Sequence, residues 1–245
     1  MNIDSQVAAL KAAQGALPVE QRMLGEAFVG PPAPTSTPGM NTTKRLALVG
    51  GDVVFHKPFS GVQVANAIAF GQTGETPPLH EAASWRLAVV LGPPWEEIVA
   101  PCVLREYAGE DGSLSLRASG WPRDAAPTLA PTWCLPAAFF DSLIAQQDRH
   151  ADNWRWDGSH LTLIDHGYTF ALPGAILNYS DFVVARHGHG AAGLLTEERD
   201  ALTRLLSNSD LLGMARFLLS DRAQALADRA HLMLERDEIL RPGEF

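Results

Sequence analysis

The sequence predicts an α+β fold, with a small antiparallel sheet in the first half of the chain and a mainly helical second half. Three observations predict it. Short β-prone runs broken by Gly-rich turns follow one another between Leu46 and Arg117. Apolar residues recur at helical spacing from Pro136 to Gln147 and again from Thr196 to Leu240. Between these halves, Asp157-Gly158 separates two extended runs, Asn153 to Trp156 and His160 to Ile164, the strongest short-range hairpin signal a sequence carries.

Taken in order, Val7, Leu10, Ala13 and Leu17 give residues 1–28 a helical period, with Asp4 or Ser5 as N-cap. Gly30 to Gly39 holds four prolines, which fix φ and remove donors, so it reads as a linker. The leading helix is then free to dock on the domain, to dock on a partner, or to stay mobile. Strands follow at Leu46–Val49 and Val53–Lys57 around a Gly50-Gly51-Asp52 turn. A helix from Leu79 to Leu91, with Trp85, Ala88 and Val89 as its apolar face, ends at Pro93-Pro94. Ile98–Arg105 and Ser113–Arg117 read as two further strands around a turn at 109–112. The chain then crosses to the helical half somewhere in the window Leu116 to Trp121. Pro-rich residues from Trp121 to Pro131 suit no assignment. The segments are therefore 1–40 (helix and linker), 41–120 (sheet lobe) and 121–245 (helical lobe). In the last, a Gly/His-rich stretch to Gly193 reads as a loop. Helices open near Thr196, Ser209 and Asp221.

With 245 residues, 46% hydrophobic and 19% charged, the chain is an ordinary globular one with surface enough to bury a core. A formal charge of −9 without a basic stripe argues against nucleic acid and anionic lipid surfaces as partners. Cys102 and Cys134 have no metal-ligand or disulfide-framework spacing. No stretch has the length of a membrane span, and the N-terminus has no basic start followed by an apolar run. A cytoplasmic protein without stable membrane insertion is expected.

The chemistry concentrates in Gln147 to Phe170. Counting back from Asp157-Gly158 places Asn153 opposite Thr162 or Leu163, beside Asp165 at the end of the second strand. An amide oxygen and a carboxylate are too few to cage a metal, but suit Mg²⁺, which keeps waters and completes its shell with phosphates. Asp148, five residues before Asn153, is placed to take or orient the proton of an attacking hydroxyl. Taken singly, Asp148-Arg149-His150 also suits a solvated loop, Asn153 a turn cap and Asp165 a strand end. Their joint order around a hairpin favours the site.

The order Asp148-Arg149-His150-x-x-Asn153, a hairpin, then Ile164-Asp165-x-Gly167 resembles the catalytic and metal-binding loops of the phosphatidylinositol 3- and 4-kinase-like family, in its bacterial branch, and more loosely those of HipA-like serine kinases. The resemblance covers about Leu46 to Phe170. It implies a two-lobed protein-kinase-like fold, ATP and Mg²⁺, with Asp148 as catalytic base, His150 assisting, and Asn153 and Asp165 on the metal. It also implies that Lys57 pairs with the nucleotide phosphates and with Glu81 on the following helix, Glu75 being the second choice. His166-Gly167 stands where protein kinases most often carry Phe-Gly. No G-x-G-x-x-G loop is present; Gly50-Gly51 is a weak substitute, and Ser60-Gly61 a weaker one. His187-x-His189 lacks a third ligand for zinc.

Phosphotransfer to a hydroxyl is the function this implies. No basic cluster follows Asp165 to hold an inositol phosphate, so a protein Ser/Thr or a small molecule is the expected acceptor rather than a lipid. Adenylyl transfer on the same fold, and a non-catalytic nucleotide-binding or interaction module docked through the N-terminal helix, are the alternatives.

Overall fold

The structure, a computed structural model, describes residues 3–33, 41–72, 76–121, 131–173, 179–218, 220–241 and 243–244. The N-terminal stretch forms two helices rather than one, α1 (Ile3–Ala13) and α2 (Pro18–Gly25). Gly15 between them adopts a left-handed φ of 94°, and Pro18 takes the first-turn position where no donor is needed.

A five-stranded antiparallel sheet follows, with order β1-β2-β3-β5-β4. Its strands are β1 (Phe28–Ala33), β2 (Lys44–Leu48), β3 (Val53–Pro58), β4 (Cys102–Tyr107) and β5 (Glu110–Leu116). β1 corrects the expectation that Gly30 onward excludes sheet. It lies at the edge, its register shifts between Val29 and Ala33, and Pro31 and Pro32 sit in that irregular stretch. Edge strands and bulges are where proline is tolerated, because the ladder needs no donor there. Residues 34–40 of the expected linker lie outside the described residues, as does Glu75.

Strand alternation gives the sheet two different faces. Leu46, Leu48, Val54, Val103 and Leu114 point outward and pack on Met23 of α2. α2 therefore covers the back of its own sheet, while Leu10 of α1 joins the main core. On the other face, Cys102 and Leu104 join Leu79, Ala82 and Leu87 of α4 (Thr76–Leu91) in the main core. Before α4 comes the short α3 (Val64–Ala69). α4 ends at Gly92, whose φ of 73° lets its N–H donate to the Ala88 carbonyl at 3.0 Å. The expected strand from Ile98 starts later, at Cys102, because α5 (Trp95–Ile98) intervenes and buries Trp95.

The second lobe is built on α6 (Pro131–Leu143), with Phe139 and Phe140 fully buried, followed by the hairpin β6 (Trp154–Trp156) and β7 (Leu161–Leu163). Part of the Gly/His-rich stretch expected as a loop, Asp181–Gly188, is helical. Ser180 Oγ accepts from Val183 N and caps α7 (Asp181–Gly188), whose Arg186 is buried against Glu198 at 2.6 and 2.8 Å. α8 (Thr196–Leu205), α9 (Asn208–Ala215) and α10 (Ser220–Arg236) complete the lobe close to where the sequence puts them. Between the lobes, Arg117 N donates to Val53 O at 2.9 Å and Trp121 N to Trp156 O at 2.9 Å. Gly120 crosses so close to the Trp156 carbonyl that a Cβ would lie 2.2 Å from it. Among the described residues no helix is long and apolar enough to cross a membrane.

Candidate active site

The hairpin positions the site, with a register one residue further than expected. Trp154 pairs with Leu163, so Asn153 falls opposite Ile164, whose N–H donates to the Asn153 carbonyl at 3.0 Å. Asp165 follows immediately in a left-handed conformation, φ 58°. Arg149, which a solvated loop would expose, is fully buried. Its Nε donates to both Asp141 oxygens at 3.2 and 3.1 Å and its Nη2 to Oδ1 at 3.1 Å, while Nη1 donates to the carbonyls of Asn153, at 2.6 Å, and Ile164. One guanidinium thus ties both sides of the hairpin mouth to α6. Ser180 Oγ supplies Asp141 with a further donor at 2.7 Å. Burial raises the Asp141 pKa, opposed by Arg149.

At the mouth, Asn153 Nδ2 donates to the Asp148 carbonyl at 2.6 Å. The Asn153 amide oxygen accepts no hydrogen bond from the described residues. His150 Nδ1 accepts from Asp152 N at 3.2 Å, and its Nε2 lies 3.3 Å from Asn153 Nδ2 and 3.7 Å from Asp148 Oδ1. Burial raises the Asp148 carboxyl above its ordinary range, His150 opposes this, and Asp165 adds to it.

Across the cleft, Lys57 lies near the end of β3, on the face that meets α4. Its ammonium pairs with Glu81 Oε1 and donates to Asp165 Oδ1 at 2.8 Å. Glu81 is buried, and its Oε2 accepts from Ser113 Oγ at 3.1 Å and Ser115 Oγ at 2.9 Å. Burial pushes the Glu81 carboxyl up despite Lys57. Asp165 is half-exposed; partial desolvation works against its ionisation, but Lys57 outweighs it and holds the carboxyl below its ordinary value. For Lys57, burial opposes the charge; Asp165 and then Glu81 overcome it and raise the pKa. The cleft is further lined by Asn41, Val62, Pro77, Gly167 and Tyr168.

The structure therefore brings Lys57, Glu81 and Asp165 into one ion cluster and Asp148, His150 and Asn153 into another at the same hairpin mouth. An unengaged amide oxygen and a lysine-held carboxylate are hard oxygen donors of the kind Mg²⁺ takes. No group of three or more His, Cys, Asp or Glu among the described residues is placed to hold a metal, which leaves such an ion dependent on waters and phosphates. Gly50-Gly51 does not fit its weaker role. It lies at the opposite end of β3, with Val53 alone about 13 Å from Lys57 at ~3.3 Å per residue, and Gly50 N donates to Glu26 Oε2 at 2.7 Å. The connection that emerges at the Lys57 end is the one between β1 and β2, of which 41–43 are described. Ser60 Oγ is engaged by Glu110 at 2.8 Å.

Sequence reading missed the supports. Asp141 and Arg149 carry no local signal beyond a buried spacing. Gly112 sits against the Lys57 carbonyl, where a Cβ would come within 2.2 Å. His166 is buried edge-on against Phe140, with ring centroids 5.9 Å apart.

No protein-family model matches the chain, and no curated protein does. Solved structures do resemble it. The chain is similar to hydra Fam20, solved with sugar, at 15% identity over 96% of this chain and 95% of that one, with a TM-score of 0.52. It is also similar to the Helicobacter pylori proinflammatory kinase CtkA (11% identity, 89% and 95% covered, TM-score 0.45). A third is the Rio2 kinase of Chaetomium thermophilum, solved as an ADP/Mg²⁺-phosphoaspartate complex (10%, 89% and 74%, TM-score 0.41). Likeness at such identities speaks to fold alone: the chain's two-lobed α+β fold is shared with hydra Fam20.

Proposed function

We propose that the protein is an ATP- and Mg²⁺-dependent phosphotransferase, of the phosphatidylinositol-kinase-like type that its loops resemble. The observation that carries this reading is Lys57, held on the sheet between Glu81 of α4 and Asp165 at the hairpin mouth. Lys57 binds the nucleotide phosphates and Glu81 fixes its direction. Asn153 and Asp165 are the residues that would hold Mg²⁺, whose charge offsets that of the phosphates. Asp148 accepts the proton of the acceptor hydroxyl, and its raised pKa suits a base better than an ordinary surface aspartate would. His150, its Nε2 3.7 Å from Oδ1, assists that carboxylate. Phosphoryl transfer needs mostly positioning and charge neutralisation, which this constellation supplies.

The acceptor is a hydroxyl of a protein or a small molecule. In the described residues from His166 to Gly190 the one arginine, Arg186, is consumed by Glu198, so no basic cluster is left for an inositol phosphate headgroup. Titrating ATP into the protein with and without Mg²⁺, beside Asp165→Ala, tests the site. Binding that strengthens with Mg²⁺ only in the wild type is expected, and absence of binding in both conditions would sink the reading. Label transferred from γ- but not α-labelled ATP separates phosphoryl from adenylyl transfer.

A further inference from the structure

We infer that α1 and α2 act as a built-in clamp on α4, and that Glu20 is a positioning residue for the Glu81–Lys57 pair. Glu20 is completely buried, although it is an acidic residue in the first turn of a helix, where exposure is the rule. Its two oxygens divide their work. Oε2 accepts from Gly15 N at 2.8 Å and Leu17 N at 3.3 Å, closing the start of α2. Oε1 accepts from Trp85 Nε1 at 2.9 Å and pairs with Arg86 on α4. Trp85 is four residues beyond Glu81, so the grip falls one helical turn from the carboxylate that meets Lys57.

The clamp is anchored to the sheet independently of Glu20. The Gln14 side chain brackets Leu104 of β4, donating to its carbonyl at 2.8 Å and accepting from its N–H at 2.9 Å. Arg105 donates to the carbonyls of Met23 at 2.6 Å and Glu26 at 2.7 Å. α4 is thus held at Glu81 by Ser113 and Ser115, and one turn on by a carboxylate fixed to the same sheet. A helix that turned or slid away would leave Glu20 buried without its partners, a costly state. The clamp needs no nucleotide; only its catalytic consequence rests on the phosphotransferase reading.

The test compares the full-length wild type with Glu20→Gln, which removes the charge, and Trp85→Phe, which removes the donor from the α4 side. Hydrogen exchange over residues 79–83 is followed in the free protein, and MgATP affinity by calorimetry well below the unfolding midpoint. Both variants are expected to raise exchange at 79–83 about tenfold and to weaken MgATP binding about tenfold, the worth of one hydrogen bond to a charged group. In a Glu81→Gln background, Glu20→Gln is expected to weaken binding no further. Unchanged exchange at 79–83 in both variants overturns the clamp, whether or not nucleotide binds. Additive loss of affinity in the double variant overturns Glu20 as a residue acting through Glu81. Faster exchange in a protein whose wild type does not bind MgATP upholds the clamp and removes only the phosphotransferase reading.

Discussion

Lys57 and Asp165, 108 residues apart in sequence, meet at 2.8 Å across the cleft between the lobes. The same ammonium neutralises Glu81, so one cation serves a buried and a half-exposed carboxylate together. Removing the cation should therefore cost more than a surface pair would. Lys57→Met leaves Glu81 buried beside two serines with no charge partner, and is expected to lower stability by about 3 kcal/mol. Adding Glu81→Leu should recover most of that loss. Urea unfolding of the single and double variants checks both, and equal destabilisation in the two would contradict the pairing.

Asn153→Asp separates two uses of one side chain. The change keeps an oxygen at the proposed metal position but loses the Nδ2 donor to the Asp148 carbonyl. On the proposed function, Mg²⁺-dependent ATP binding should persist, while turnover falls about 100-fold as the proposed base, Asp148, is misplaced. Calorimetry and phosphate release read the two effects separately.

Arg149 holds the hairpin mouth from within. Arg149→Ala strips Asp141 of its partner and frees the carbonyls of Asn153 and Ile164, and should destabilise the fold by about 3–5 kcal/mol. Arg149→Lys should rescue it poorly, because an ammonium cannot reproduce a fork bonded to a carboxylate and two carbonyls. Thermal unfolding of both variants is the check.

His80 predicts acid sensitivity. Burial first, then the charge of Arg222, hold its pKa well below the ordinary value, so the folded state keeps the ring neutral. Above the unfolded pKa of about 6.5 this contribution is fully present; as pH falls toward the lower folded value it is lost, by about 1 kcal/mol per pH unit. His80→Leu should shrink the drop in urea midpoint between pH 7.5 and pH 5.5. An unchanged drop would assign the acid sensitivity to other groups.

The local elements were legible because their signals are short-range. Asp157-Gly158 fixed the hairpin, the β-prone run Val53–Lys57 before Pro58 fixed a strand ending near Lys57, and helical periods placed α6 and the three C-terminal helices. The candidate site residues could be named because Asp148, Asn153 and Asp165 lie within one short stretch. The errors arose where a local rule met a tertiary exception. Prolines 31 and 32 argue locally against sheet, but an edge position leaves their missing donors without consequence. Arg186-His187 looked like loop until burial against Glu198 gave its arginine a reason to be helical.

By itself, then, the sequence determined most of the strands and helices, and which residues carry oxygen, nitrogen and charge at the hairpin mouth. Only the tertiary structure decided that α2 covers the back of the sheet, that Glu20 reaches Trp85 across 65 residues, and that Arg149 lies inside with Asp141. The physical reason is that period and turn chemistry act between neighbours along the chain, whereas burial of a charge depends on which distant groups arrive to satisfy it.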